Sequence, residues 1–389
     1  MANQIMEIAR LKIPNELLFG NGSASQMGII AKKLGASRVL LISDRGLEST
    51  GVIDEARQWL VKAGLAVEIW LDVEAEPSVN SLDPCLHIVR EEKFDAIVGL
   101  GGGSVLDTAK ATAVLVDPAM TIYDLLGQDH VTQPGLPTIL LPTTAGTGAE
   151  ITPNALFYLP EKQAKEAIVS HELIPDVAII DPMLALSAPP GLTAATGMDA
   201  LCHAIESYTG LNATPLSMPF SRESIRLIGT HLRTATIHGD NLTAREGMAL
   251  GSLNAAIAIA NAGTNGVHAL AYPLQGLERI QHGIANSLLL PYVMEFNMLG
   301  AVERFAEIAY LLGIPTHAMS QRQAAEASVY ACRQLSIDIG IPQSLQLVGI
   351  KEDDLENLVD GAMKVTRLLK NNPRPINRED IRRIFHEAF

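Results

Sequence analysis

Short, nearly continuous apolar runs alternate with helix-period segments through the first half of the chain. Arg38 to Ser43 reads as a strand, and Ile53 to Ala63 as an amphipathic helix stopped by Gly64. Ala66 to Leu71 is the next strand, Asn80 to Glu92 a helix, and Asp95 to Leu100 a strand running into glycines. Thr138 to Leu141 and Val177 to Ile180 continue the strand series. Strands apolar at almost every position are buried on both faces, which predicts a parallel sheet with helices on either side. Beyond about Pro190 only helix-period segments follow, with Ala301 to Leu312, Gln321 to Leu335 and Glu352 to Leu369 the clearest. The apolar stretch Met248 to Ala262 carries Ser252, Asn254 and Asn261 and is shorter than a membrane span, so it reads as a buried helix. A chain of 389 residues is long for one core. The break falls at Ser187-Ala188-Pro189-Pro190-Gly191 and predicts an α/β domain over 1–187 and an all-helical domain over 188–389.

Composition narrows the partners. A net charge of −14 argues against nucleic acid or an anionic membrane. Cys85, Cys202 and Cys332 are widely spaced and form no CxxC pair, which predicts free thiols and a cytoplasmic setting. The start, Met1 to Glu7, has an acidic residue and no long apolar run, so no signal peptide is expected.

The chemistry concentrates in Met198-Asp199-Ala200-Leu201-Cys202-His203. Asp199 and His203 are four apart among helix formers and leave one helical face. Such a pair alone is more often a surface hydrogen bond than a metal site. Two further histidines alter that balance: His268 and His282 flank the interrupted stretch Tyr272-Pro273-Leu274-Gln275-Gly276, in surroundings where an unpaired imidazole is costly. One carboxylate and three imidazoles suit Fe(II) or Zn(II) and suit Ca or Mg poorly. Cys202 lies between two of these residues on the helix but should face another direction. His87, His130, His171, His231, His238, His317 and His386 lack ligand-like spacing.

The sheet half offers loops. Gly101-Gly102-Gly103-Ser104 follows a strand and opens a helix, so backbone N–H groups there could meet a phosphate. It is not a GxGxxG motif, and a tight turn without a ligand fits it as well. Asp44 ends the first strand, where a carboxylate serves either as a turn cap or as an acceptor for ribose hydroxyls. Thr143, Thr144 and Thr147 lie in a Gly-rich loop after another strand. Metal residues in one half and loops in the other place the expected site in a cleft between them.

Read together, these runs resemble the iron-containing (group III) alcohol dehydrogenases across nearly the whole chain. The match rests on Gly101 to Ser104 followed by Asp107, on Pro142 to Thr147, on Ala194 to Asp199, and on the Asp199, His203, His268 and His282 set with its fourteen-residue final step. The resemblance implies a dinucleotide-binding domain followed by a helical metal domain, the fold shared with dehydroquinate synthase. It implies NAD(P)-dependent interconversion of a small alcohol and its carbonyl compound, with the metal as Lewis acid. Fe(II) is the first expectation and Zn(II) the second, and a homodimer is implied. Asp44 would face the ribose, favouring NAD over NADP, and Asn154 and Lys165 would lie near the nicotinamide. Many relatives carry a histidine four residues after the third ligand as a candidate proton relay. Here Tyr272 stands there, for positioning or relay. A glycerol dehydrogenase-like polyol oxidoreductase, a dehydroquinate synthase-like lyase and a non-catalytic assembly subunit remain as alternatives.

Overall fold

Six parallel strands form the floor of the N-terminal half of the computed structural model, which describes residues 8–162, 164–278 and 280–389. The segment Met1 to Glu7, expected to lack a signal peptide, lies outside the described residues. In chain order the strands are β1 (Glu16–Phe19), β2 (Arg38–Ile42), β3 (Ala66–Trp70), β4 (Ala96–Gly101), β5 (Gly127–Gln128), β6 (Thr138–Pro142), β7 (Asn154–Leu159), β8 (Ala164–Val169) and β9 (Val177–Ile180). The large sheet runs β1-β9-β6-β4-β2-β3, all parallel. From β2 the chain moves outward to β3, then returns to the other side of β2 for β4. That reversal is a topological switch point, where a crevice opens beyond the carboxyl ends of the strands.

Register decides what meets there. Ile42 pairs with Gly99, and Gly101 pairs with Pro142, so β2, β4 and β6 end together. Asp44, Gly102 and Thr143 therefore leave the sheet along one edge. The inner strands β2, β4, β6 and β9 are buried on both faces, as their composition requires, while the edge strands β1 and β3 are only partly covered. Leu40 and Ile42 pack with the Asp83–Glu91 and Gly103–Val114 helices, while Val39 and Leu41 pack with Met27–Lys33 and Val52–Lys62.

A second, small sheet, β5-β8-β7, was not expected. β7 and β8 pair antiparallel, and β5 lies parallel to β8. In β8 the charges of Lys165 and Glu166 interrupt the apolar signal of a strand, and pairing with β7 overrides that preference. The edge strand β1 was also missed, because its four residues are only half covered. The expected helix from Glu352 to Leu369 is broken. A 3-10 turn covers Glu352–Asp354, a helix Leu355–Lys364, and a short helix Thr366–Leu369 follows Val365.

The C-terminal half is built around the helix Pro190–Thr209. Pro190 opens it at a position whose missing N–H costs nothing, and Gly210 leaves the helical conformation at its end. The helices Met218–Ile237, Leu242–Ala262 and His282–Asn297 surround it, so most of its sides are covered. Met198, Leu201, Ile205 and Tyr208 fill the core at spacings of three and four. Burial of one such side chain stabilises by about 1.5–3 kcal/mol, and Leu201→Ala would cost about 2–5 kcal/mol. The same enclosure desolvates Asp199, His203 and Glu206. Met248 to Ala262 lies within the buried Leu242–Ala262 helix. Among the described residues no helix is long and apolar enough to cross a membrane. All three cysteines are free and buried.

Candidate active site

Three helices deliver four ligand-type groups to one point. Asp199 and His203 come from Pro190–Thr209, His268 from Gly266–Glu278 and His282 from the first position of His282–Asn297. One donor atom from each lies within 4.8 Å of every other. His203 Nε2 is 3.1 Å from His268 Nε2. Asp199 Oδ1 is 3.8 Å from His203 Nε2 and 3.7 Å from His282 Nε2. Tetrahedral bonds of about 2.0–2.1 Å put donors roughly 3.3 Å apart, so the cluster is of metal-binding size. A close approach seats His282: a Cβ on the next residue, Gly283, would lie 2.5 Å from the Ala195 carbonyl oxygen, so only glycine lets the two helices meet there.

Tautomers make the case for a cation. His268 Nδ1–H donates to Glu206 Oε2 at 2.5 Å, and His203 Nδ1–H donates to the Gly146 carbonyl at 3.2 Å. Each ring then presents an unprotonated Nε2 to the other, and two lone pairs 3.1 Å apart beside a carboxylate repel one another, with only the Asn286 amide, 3.1 Å from His268 Nε2, to offset them. Gln275 completes the pattern at His282. Its Nε2 sits 2.9 Å from His282 Nδ1 while its Oε1 is buried without a partner. Turning the amide end for end places Oε1 on Nδ1–H and frees the third Nε2. Asn286 Nδ2 donates to Asp199 Oδ1 at 2.7 Å and holds that carboxylate in place. The donor set and its outer partners fit a divalent metal.

The electrostatics agree. Burial alone would raise the Asp199 carboxyl, but the three imidazoles and Asn286 more than offset it and lower its pKa. Burial holds His203 below the ordinary range and pushes His282 down to about 3, which favours neutral ligands. Burial also opposes charge on His268, yet Glu206 outweighs it and raises that ring. Cys202 Sγ lies 3.9 Å from His268 Nδ1, on the side away from the cluster, and burial keeps its thiol protonated.

Beside the cluster a cleft of about 720 Å³ runs along the switch-point edge of the sheet. Asp44, Gly102, Gly103, Ser104, Thr143, Thr144 and Thr147 line it, as do Asp199 and His282. The helix Gly103–Val114 opens into it with no side-chain cap, leaving its first N–H groups free for an anion. A Cβ on Gly103 would come 2.7 Å from Thr147, so only glycine lets the two loops meet. Asp44 accepts from Gly46 N–H at 2.8 Å, and burial raises its carboxyl above the ordinary value. Arg45 is turned to Asp72, with Nε 2.7 Å from Oδ1.

Other sequence candidates lie elsewhere. Gly101 ends β4 beneath Val105. Asp107 is buried under the helix, where it accepts from Leu156 N–H at 3.0 Å and pairs with Lys110 at 3.1 Å. Asn154 opens β7, and its carbonyl accepts from Lys110. Lys165 and Tyr272 line a second chamber, of about 920 Å³. Lys165 pairs with Glu76, which lines the first cleft, and burial lowers its pKa to about 8 against the pull of Asp199. The Tyr272 ring is 6.4 Å from those of His268 and His282.

Four contributors were missed. Glu206 was legible, since it continues the spacing Asp199, His203 on one helix. Gln275 and Asn286 each sit within seven residues of a histidine ligand, but amides carry no ligand signature. Glu76 had no signal: it is a loop residue with φ 56°, far in sequence from everything it touches.

Comparison with known proteins now decides the family. A sequence profile described as "Iron-containing alcohol dehydrogenase" matches residues 14–182, and one described as "Fe-containing alcohol dehydrogenase family, C-terminal" matches residues 193–389. The chain belongs to the iron-containing alcohol dehydrogenase family. Membership makes it an oxidoreductase of the alcohol–carbonyl pair. It is 40% identical to long-chain-alcohol dehydrogenase 1 of Geobacillus thermodenitrificans over 387 residues, covering 99% of this chain and 98% of that one. It is 36% identical to the NAD-dependent methanol dehydrogenase of Bacillus methanolicus, covering 97% and 99%. Among solved structures, a 1,3-propanediol oxidoreductase superposes with a TM-score of 0.96 at 39% identity, covering 98% of this chain and all of the other.

Proposed function

We propose that the protein is an NAD-dependent alcohol dehydrogenase and aldehyde reductase whose divalent metal is held by Asp199, His203, His268 and His282. The observation that carries this reading is the convergence of Asp199 Oδ1 with imidazole Nε2 atoms whose Nδ1–H groups are pinned from behind. When bound, the metal supplies a Lewis acid for the substrate oxygen and NAD exchanges the hydride. Glu206, Gly146 and Gln275 hold the three rings in the ligating tautomer, and Asn286 orients Asp199. Thr143, Thr144, Thr147 and the Gly102 to Ser104 turn cradle the dinucleotide, with Gly101 shaping the turn. Asp107 and the carbonyl of Asn154 act through Lys110, which they fix beneath that turn. Lys165 stands between cofactor and substrate sides. Tyr272 positions the substrate: burial raises its hydroxyl pKa, which makes it a poor base at neutral pH.

Fe(II) is the first metal choice and Zn(II) the second, on the strength of one oxygen and three nitrogen donors. NAD is preferred to NADP because Asp44 and Asp72 both border the ribose end and Arg45 is engaged by Asp72. We place the active chain in the cytoplasm as a homodimer of two-domain protomers divided at 187/188. Three buried free thiols and the exposed apolar residues Leu11, Ile13 and Phe19 along the β1 edge support that reading. The test is metal analysis of the purified protein together with NADH formation on a panel of alcohols. His268→Ala should lose most of the metal and orders of magnitude of activity. Wild-type metal occupancy in that variant would remove the assignment.

A further inference from the structure

The chamber that Tyr272 lines adjoins the four-residue cluster, since the Tyr272 ring is 6.4 Å from those of His268 and His282. The Gly266–Glu278 helix borders it with Tyr272, Pro273 and Gly276, β8 forms a wall, and Leu355–Lys364 with Thr366–Leu369 closes it. The Glu76–Lys165 ion pair joins the two cavities: Glu76 lines the cleft and Lys165 the chamber.

Its charge is out of character for the chain. In a protein of net charge −14, the chamber walls carry Lys162, Lys165, Lys364 and Arg367 against one acid, Glu166. Lys162 is matched by Glu166 at 2.6 Å, and Lys165 by Glu76. The side chains of Lys364 and Arg367 form no ion pair or hydrogen bond among the described residues. The acid best placed for Lys364 on its own helix is Asp360, four residues earlier, and it is turned away to Arg378. Glu356 is likewise held by Arg378 and Arg382. Two cations without a partner among the described side chains therefore face a chamber that Tyr272 also lines.

We propose that this chamber receives the tail of the substrate and that Lys364 and Arg367 bind an oxyanion at its end. The substrate class is an aldehyde, or the matching primary alcohol, with a carboxylate or sulfonate at the far end of a short chain. The inference rests on the alcohol–carbonyl reading of the metal site and extends it. The chemistry is the same two-electron step: aldehyde, NADH and one proton give alcohol and NAD, and the distal anion is unchanged. Arg367 offers a planar fork to the oxyanion and Lys364 a second charge. The apolar lining covers the methylenes between.

The experiment compares 4-oxobutanoate with butanal on the metal-loaded enzyme, in wild type and in Lys364→Gln/Arg367→Gln. Both side chains are exposed, so the folded state should tolerate the change. The wild type should favour 4-oxobutanoate by about tenfold or more in kcat/KM, the scale of one or two charge-assisted contacts. The ratio should collapse towards one in the double variant, and Arg367→Lys should keep part of it. A wild type that reduces butanal equally well or better, or a preference that survives the double substitution, overturns the proposal. If neither aldehyde is reduced, the alcohol–carbonyl reading fails by itself, and equilibrium dialysis with succinate judges the anion subsite. Weaker succinate binding in the double variant supports the subsite, and equal binding refutes it.

Discussion

Glu206→Gln tests the proposed metal site through a residue that is not one of its four ligands. Both carboxylate oxygens of Glu206 are in use, one on His268 Nδ1–H at 2.5 Å and one on Val267 N–H at 2.6 Å. Glutamine keeps the shape but offers one acceptor for two donors. If its oxygen stays on Val267, the amide hydrogens face Nδ1. The ring must then carry its proton on Nε2, and one ligand of four is lost. If the oxygen stays on Nδ1, Val267 N–H is buried without a partner, which costs about 1–3 kcal/mol of stability. Loss of a carboxylate behind a ligating imidazole typically weakens metal binding by about 10–100-fold, or roughly 1.4–2.7 kcal/mol. Competition between apo-protein and a chelator for Zn(II) measures this directly, with thermal unfolding of the apo form as the stability control. Zn(II) affinity within about twofold of wild type would refute the role given to Glu206, since that is far below the expected loss.

Other perturbations separate the remaining roles. Asp44→Gly should raise the NADPH-to-NADH ratio of kcat/KM by about tenfold, a third of the roughly 4 kcal/mol repulsion between unit charges 4 Å apart at a dielectric near 20; an unmoved ratio makes Asp44 a turn cap only. Tyr272→Phe should leave kcat within a few-fold, whereas a loss of about a hundredfold would make the hydroxyl a proton relay. Burial holds the Glu150 carboxyl at about 7 against an ordinary 4.5, so the native state retains a proton that the unfolded chain has released, and stability falls as pH rises through that window. Glu150→Gln should therefore add about 3 kcal/mol to the unfolding free energy above about pH 8 and almost nothing below about pH 4; equal gains at both would count against it.

What could be read from the sequence was whatever repeats at a fixed local period. The inner strands of the large sheet are apolar runs covered on both faces, and Asp199 and His203 share a helical face by spacing alone. β8 escaped because its partner β7 supplies the order that its own charges obscure. Glu352 to Leu369 kept a helical period in sequence, yet Val365 turns the chain between Lys364 and Thr366. Asp107 shows the opposite failure. Its place four residues after a glycine turn matched the family's cofactor loop, but the side chain turns to Lys110 one turn on along the same helix and to Leu156 N–H, a partner 49 residues away that no local spacing encodes.

The ion pair between Glu76 and Lys165 shows why such a site needs both halves of the chain. Glu76 comes from the loop after β3, at the mouth of the sheet, and its backbone N–H donates to Ser104 Oγ at 3.3 Å. The same carboxylate accepts from the His282 backbone N–H at 3.5 Å while holding Lys165 of the small sheet. One loop residue thus links the glycine turn, the helix that His282 opens and the wall of the second chamber. A φ of 56° costs a non-glycine residue of order 1–3 kcal/mol, and these contacts offset it. Freed from its partner, Lys165 would have no anchor between the two cavities, and His282 would lose a contact at the start of its helix. A segment more than a hundred residues from Asp199, His203, His268 and His282 thus touches the start of the helix that carries the last of them.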